Sequence, residues 1–365
     1  MKGATLITGG AGFIGTNLAH RLLEAGHDVM IFDNLSRRGV EQNLAWIQQK
    51  HGARVRPILG DVRDPVALRA AVHDADQVFH FAAQVAVTTS LHDPAHDFAV
   101  NAQGTLNVLM ALRELRDPPP LVFTSTNKVY GSLDDLPLRK NASRYEPLDA
   151  RTRARGVDER RRLDFHTPYG CSKGTADQYV LDYARTLGVP AVVFRMSCIY
   201  GPHQFGTEDQ GWVAHFLIQA LRGEPLTLYG DGMQVRDLLF VEDLVDAFLL
   251  AQRHMKEISG NAFNIGGGPS NTTSLLELLH EIEQLVGAVP AYTFRPWRPG
   301  DQRYYVSDPS RFRAATGWNP KTSVRDGLGA LCDWLVGAGV VHAPIPRIGP
   351  RAAPDAAITA LAGEA

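Results

Sequence analysis

Tyr169 and Lys173 stand four residues apart in Tyr169-Gly170-Cys171-Ser172-Lys173. On a helix that spacing is one turn, so both side chains leave the same face. An unperturbed phenol titrates near ~10, too high for a base at neutral pH. An ammonium one turn away favours the phenolate, and the pair then reads as a base able to take a hydroxyl proton. Upstream, in Phe123-Thr124-Ser125-Thr126-Asn127-Lys128-Val129-Tyr130-Gly131, Thr126 is the expected third member, hydrogen-bonding the reacting oxygen beside Tyr169. Ser125 is the alternative.

A second cluster suits phosphate. In Thr5-Leu6-Ile7-Thr8-Gly9-Gly10-Ala11-Gly12-Phe13-Ile14-Gly15, an apolar strand runs into glycines and then a helix. Gly9 and Gly12 can take backbone angles closed to other residues and let a pyrophosphate approach the chain. Gly15 lets the helix pack close to the sheet. The helix start at Phe13 and Ile14 offers free N–H groups and a partial positive charge. Asp33 ends the next strand, where an acidic residue suits the two free ribose hydroxyls of NAD and repels the extra phosphate of NADP. Arg37 and Arg38 follow and could bind that phosphate, which is the case against; NAD is the expected cofactor. Asp61 and Val62 should meet the adenine edge, and Phe81, Ala82, Ala83 and Gln84 the pyrophosphate and nicotinamide ribose. Lys173 would also hold that ribose. An oxidised nicotinamide is cationic and should help lower the Tyr169 phenol; about 3 pKa units corresponds to about 4 kcal/mol.

These residues need a scaffold, and the first half of the chain alternates strands with helices. Strands are expected at 4–8, 28–32, 55–59, 77–81, 121–124 and 191–194. Helices are expected at 13–25, 42–50, 65–72, 97–115 and 169–187. That rhythm is the mark of βαβ units and implies an α/β fold, a Rossmann-type doubly wound parallel sheet. From about residue 201 Gly and Pro punctuate shorter elements, as in Gly266-Gly267-Gly268-Pro269, which suits a smaller, partly interleaved C-terminal substrate lobe. The expected division is 1–200 for the cofactor and the catalytic residues and 201–340 mainly for substrate, with some segments returning to the main sheet. The stretch 341–365, rich in Ala and Pro, is expected to be a disordered tail.

Composition excludes several classes of function. Of 365 residues, 44% are hydrophobic and 21% charged, as in a globular protein with a sizeable core, and the net charge of −2 disfavours nucleic acid or an anionic membrane as partner. No apolar run reaches the ~18 residues a membrane helix needs, and no secretory signal pattern opens the chain. Cys171, Cys198 and Cys332 are odd in number and scattered, which argues against disulfides or a zinc site and for a cytoplasmic setting. His92 and His96 have a metal-like spacing but flank Pro94 at a helix start and read as surface residues, so no metal is expected.

Taken together, the glycine turn, Asp33, Thr126 and the Tyr169/Lys173 pair resemble the extended short-chain dehydrogenases that modify nucleotide sugars, from residue 1 to about 336. Asn34, Ser36, Arg37, Asn101, Thr124 and Met196 complete the expected cofactor contacts. Sugar 4,6-dehydratases of that family carry an acidic pair where this chain has Asn127 and Lys128, and sugar-acid decarboxylases keep a Glu at the Lys128 position. An amide and an ammonium cannot replace the acid pair, so the resemblance implies epimerisation through a transient ketone. The segments Thr126–Gly131, Asp164–Gly174, Tyr200–Phe205, Asp209–Trp212 and Gln84–Ser90, with the long loop from Gly131 to Tyr169, are similar to the CDP-tyvelose (CDP-paratose) 2-epimerase branch. That similarity implies C2 inversion of a CDP-sugar; a 4-epimerase of another nucleotide sugar is the alternative within enzymes, and a non-catalytic cofactor sensor or nucleic-acid-binding relative the alternative outside them. Gln84, Thr126, Asn127, Lys128, Cys198, Gln204, Gln210 and Gly211 are the implied substrate contacts. Arg236, Arg298 and Asp301 match positions that hold the nucleoside diphosphate, a role suited to arginine. The arginine-rich run 151–162 departs from the pattern and reads as a solvated loop face or as a contact to the sugar or diphosphate. Helices of the kind formed by 101–115 and 169–187 pair between subunits in this family, which implies a homodimer or homotetramer.

Overall fold

The computed structural model describes residues 3–341; the expected tail lies, apart from Val341, outside the described residues. Seven parallel strands form the central sheet: β1 (Ala4–Thr8), β2 (Val29–Asp33), β3 (Val55–Leu59), β4 (Ala75–His80), β5 (Leu121–Thr126), β6 (Ala191–Met196) and β7 (Ala262–Ile265). Their spatial order is β7-β6-β5-β4-β1-β2-β3, so the order reverses between β1 and β4, the crevice where such sheets bind nucleotides.

The strands are apolar because both faces are covered. Ile7, Ile31, Phe79, Val122 and Phe194 point to one face, against helix α1 (Phe13–Glu24), part of helix α2 (Val40–His51) and Phe248 of the Val241–Arg253 helix. Leu6, Met30, Phe32, Val78 and Phe123 point to the other, against the Pro65–His73, Gly104–Arg113 and Thr167–Thr186 helices. Successive residues of one strand thus serve opposite layers, the period-two rule of a pleated chain.

Some expected bounds shift, two of them at the site. The helix expected at 97–115 is a Pro94–Phe98 helix, a wider π-type turn at Ala99–Gln103 and a Gly104–Arg113 helix. Inside that turn, Asn101 hydrogen-bonds the backbone of Gln84 in both directions, at 2.9 and 3.0 Å, a tie that competes with regular helix geometry. The strand expected at 121–124 runs on to Thr126, which carries the predicted hydroxyl to the sheet's C-terminal edge.

The smaller lobe has its own core, with Leu217, Leu228, Leu238, Leu278, Ile282 and Leu331 at its centre. It comes from the Trp212–Arg222, Leu275–Val286 and Val324–Gly337 helices and the Leu226–Tyr229 and Val235–Phe240 strands. That strand pairs in parallel with Cys198–Tyr200, Leu238 opposite Cys198, directly after β6. No helix among the described residues is long and apolar enough to cross a membrane.

Candidate active site

The turn after β1 has the shape phosphate binding needs. Gly9 has a φ of +69°, and a Cβ there would lie 2.7 Å from the backbone nitrogen of Ala82. A Cβ on Gly15 would lie 2.5 Å from the Gly9 carbonyl oxygen, so only glycine lets α1 start this close to the turn. Gly12 stands at the N-cap of α1 with no side chain capping it, leaving N–H groups for an anion. Asp33 accepts hydrogen bonds from the Ala11 and Leu35 amides at 3.1 and 2.9 Å. Burial pushes its carboxyl up and those amides pull it back.

Around this cradle, Asn34 donates to Asp61 at 3.0 Å, and Arg63 holds the Asp61 carboxyl well below the usual carboxylate range. The Phe81 amide donates to the Thr8 carbonyl at 3.0 Å, so the 81–84 segment leaves β4 beside the glycine turn. A glycine-lined cradle, an uncapped helix start and a carboxylate fixed at the end of β2 fit a dinucleotide with a free ribose diol. Gly9, Gly12, Phe13, Ile14 and Asp33 would hold it.

Between the sheet edge and the smaller lobe lies a cavity of about 390 Å³. Thr126, Asn127, Lys128, Tyr169, Met196, Cys198, Gln204, Gln210, Gly211, Arg236, Arg298 and Asp301 all line it, as do Phe13 and Ile14 from the cofactor side. Tyr169 and Thr126 line the same stretch of the cavity, and the Thr126 hydroxyl accepts from the Lys128 amide at 3.2 Å. Ser90 fixes the start of that helix by accepting from the Tyr169 amide at 3.2 Å.

Lys173 is buried against β5. Its ammonium donates to the Thr124 carbonyl at 2.7 Å and sits 4.4 Å from the centre of the Phe123 ring. Burial drives Lys173 down to about 8. Burial also pushes Tyr169 up to about 12, opposed by the Thr126 hydroxyl and Arg37. Spacing of one helical turn brings the pair to one face, where the ammonium donates to the Thr124 carbonyl of β5. Burial therefore works against the phenolate in this pocket.

Gln84 also departs from expectation. Its amide nitrogen donates to the Ala86 carbonyl and to Asp97, at 2.8 and 3.0 Å, so the side chain serves a buried network with Asn101 and Ser172 and does not line the cavity. Lys128 donates to the Gly300 carbonyl at 2.9 Å, with Asp301 at 3.7 Å. Arg236 pairs with Asp301 at 2.6 Å. Arg298 stacks 3.8 Å over Tyr229 and reaches Glu208 and Asp209 at 3.2 and 3.3 Å. Arg37 bonds to Gln210, joining the Asp33 loop to the smaller lobe.

Sequence reasoning missed Thr88, Trp212, Tyr229 and Gln234, which share this lining. Thr88 lay within a segment singled out for its resemblance; Tyr229 precedes the turn at Gly230 and carries no signal of its own. The arginine run stays out of the cavity: Arg151 and Arg160 pair with Asp158, Arg161 with Asp135 and Arg155 with Asp308. It is a solvated face.

Residues 5–266 match the NAD dependent epimerase/dehydratase family. The chain belongs to that family. NAD is accordingly its cofactor, as the glycine cradle and Asp33 require. The chain is 44% identical to the CDP-paratose 2-epimerase of Salmonella typhi over 336 residues, 90% of this chain and 98% of the relative. It is 30% identical to a putative UDP-glucose 4-epimerase of Methanocaldococcus jannaschii, over 90% of this chain and 97% of that one. Among solved structures, the UDP-glucose 4-epimerase of Thermus thermophilus in complex with NAD superposes with a TM-score of 0.76 at 31% identity, covering 92% of this chain and 99% of that one.

Proposed function

We propose that this chain is an NAD-dependent nucleotide-sugar epimerase that inverts C2 of a CDP-hexose of the paratose/tyvelose type. The observation that carries the reading is the 44% identity to a CDP-paratose 2-epimerase across nearly the whole of both chains. The cavity agrees with it, because Asn127 and Lys128 place an amide and an ammonium where dehydration needs acids. A 4-epimerase acting on a UDP-sugar is the second reading, favoured by the 30% identity to a putative UDP-glucose 4-epimerase.

Bound NAD⁺ would supply the hydride acceptor and later donor, together with a positive charge beside the phenol. Tyr169 removes the proton of the sugar hydroxyl as its C–H bond is oxidised, and returns it after the ketone has presented its other face. Thr126 hydrogen-bonds the reacting oxygen as negative charge develops there. Lys173 anchors the ribose and keeps Thr124 and the end of β5 in place. Arg236 and Arg298 hold the diphosphate, with Lys128 beside them and Asp301 orienting Arg236, and the sugar turns about its bond to that anchor. In this reading residues 1–200 carry the cofactor and chemistry and 201–340 most of the substrate contacts. Gln204, Gln210 and Cys198, reaching across from the 198–211 stretch, border the sugar and the nucleotide.

The enzyme works as a homodimer in the cytoplasm. Supporting this are three free thiols and the exposure of Met110 and Tyr179 on the helices expected to pair, with Phe98 exposed on the short helix before them. Tyr169→Phe tests the chemistry: turnover should fall by roughly 10²–10⁴-fold with bound NAD unchanged, and near-normal turnover would refute the role of the phenol.

A further inference from the structure

His20 and Glu24 lie one turn apart on the outer face of α1, and His51 is the last residue of α2. His20 Nδ1 stands 2.9 Å from His51 Nε2, and a Glu24 carboxylate oxygen lies 3.9 and 3.7 Å from these two nitrogens. Ligands ~2.0–2.2 Å from a tetrahedral centre stand roughly 3.3–3.5 Å from one another, so the three observed separations bracket the required value. We propose that His20, Glu24 and His51 form a zinc site, apart from the catalytic cavity, that clips α1 to α2.

The donor set decides the metal. Two imidazoles and one carboxylate suit a borderline cation such as Zn²⁺, not Mg²⁺ or Ca²⁺, which take oxygen ligands. Water would fill the fourth position. Rigid supports hold the donors: His20 packs edge-on against Trp46 with ring centres 5.1 Å apart, and the His51 side chain is 3% exposed.

Three cations stand nearby, and each has another place to be. Arg21 is committed to Glu242 and to Asp246 at 2.9 Å. Arg54 donates to the Leu23 carbonyl at 2.6 Å. Lys50, an exposed residue, lies 3.5 Å from the Nε2 of His20, the ring nitrogen that faces away from the site, and it must turn toward solvent when that nitrogen takes the proton. The loop closed by the clip contains β2, Asp33 and Arg37, so zinc would stiffen the arm that meets the cofactor's ribose.

Titration of the tag-free full chain with zinc chloride, followed by calorimetry and by the absorption of a cobalt-substituted sample, tests the site. One zinc per chain, a raised Tm and the intense visible bands of tetrahedral cobalt are expected. Affinity should fall by at least about tenfold in Glu24→Gln and be lost in His51→Ala. Glu24 is exposed, so its replacement leaves the fold intact. Absence of stoichiometric binding, or binding undiminished in both variants, would overturn the proposal.

Discussion

Tyr169 is buried, and burial is also what governs its neighbours. His80 is 1% exposed and sits between two hydroxyls: Thr8 at 2.6 Å from Nδ1 and Thr105 at 3.0 Å from Nε2. Thr105 donates to the Asn101 carbonyl and so accepts from Nε2–H, which leaves Nδ1 to accept from Thr8. Burial, with Lys173 nearby, holds His80 down at about 3, whereas an unfolded histidine titrates near ~6.5. The folded value is depressed, so the unfolded chain binds the extra proton between these limits. Stability from this group is full above ~6.5 and is lost as pH falls toward 3. The Tm should drop steadily across that window, and His80→Asn should flatten the slope. An unchanged slope in the variant would move the pH sensitivity elsewhere. The placement of the glycine turn, Asp33, Thr126 and Tyr169 was legible, because strand–turn–helix order and helical geometry are local patterns. The partner of Lys173 was not legible, because the Thr124 carbonyl reaches it through the sheet, 49 residues away in sequence. Gln84 was hidden for the same reason.

At the scale of elements, the Thr167–Thr186 helix must hold Tyr169 against β5 and the cavity. Arg195 of β6 grips Asp177 of that helix with two bonds of 2.9 Å, both side chains nearly fully buried. Arg195 also donates to the Tyr130 hydroxyl at 3.2 Å, and Tyr130 in turn donates to Asn264 of β7. Removing one partner leaves a buried charge without its mate, which costs about 3–5 kcal/mol. Arg195→Met should lose that much in urea unfolding, while Arg195→Met with Asp177→Leu should recover much of it. A loss below ~1 kcal/mol in the single variant would deny the pair this role. Alternation of strands and helices up to β6 could be read from apolar runs and their periods. The π-type turn at Ala99–Gln103 could not, since a side chain bonding to another segment's backbone creates it. Nor could the place of β7, a four-residue strand whose pairing with β6 is set by tertiary packing.

On the scale of the whole molecule, two lobes meet over one cavity, and cations gather there without an excess of acid. Lys128, Arg236 and Arg298 face Asp301, Glu208 and Asp209, pairs that a diphosphate can enter by exchange. The surface proposed to pair between copies carries Phe98, Met110 and Tyr179 at 53%, 48% and 46% exposure. Sedimentation should give a dimer, and Phe98→Lys with Tyr179→Lys should give a monomer that keeps its fold; a wild-type monomer would contradict the assembly. The central claim concerns which carbon is inverted, and proton NMR of the product tests it most directly. With CDP-paratose in deuterated buffer, the account predicts conversion to the C2 epimer, visible in the coupling between the sugar's H1 and H2, with no deuterium entering C2. Inversion at C4 of UDP-glucose with CDP-paratose left untouched would contradict it.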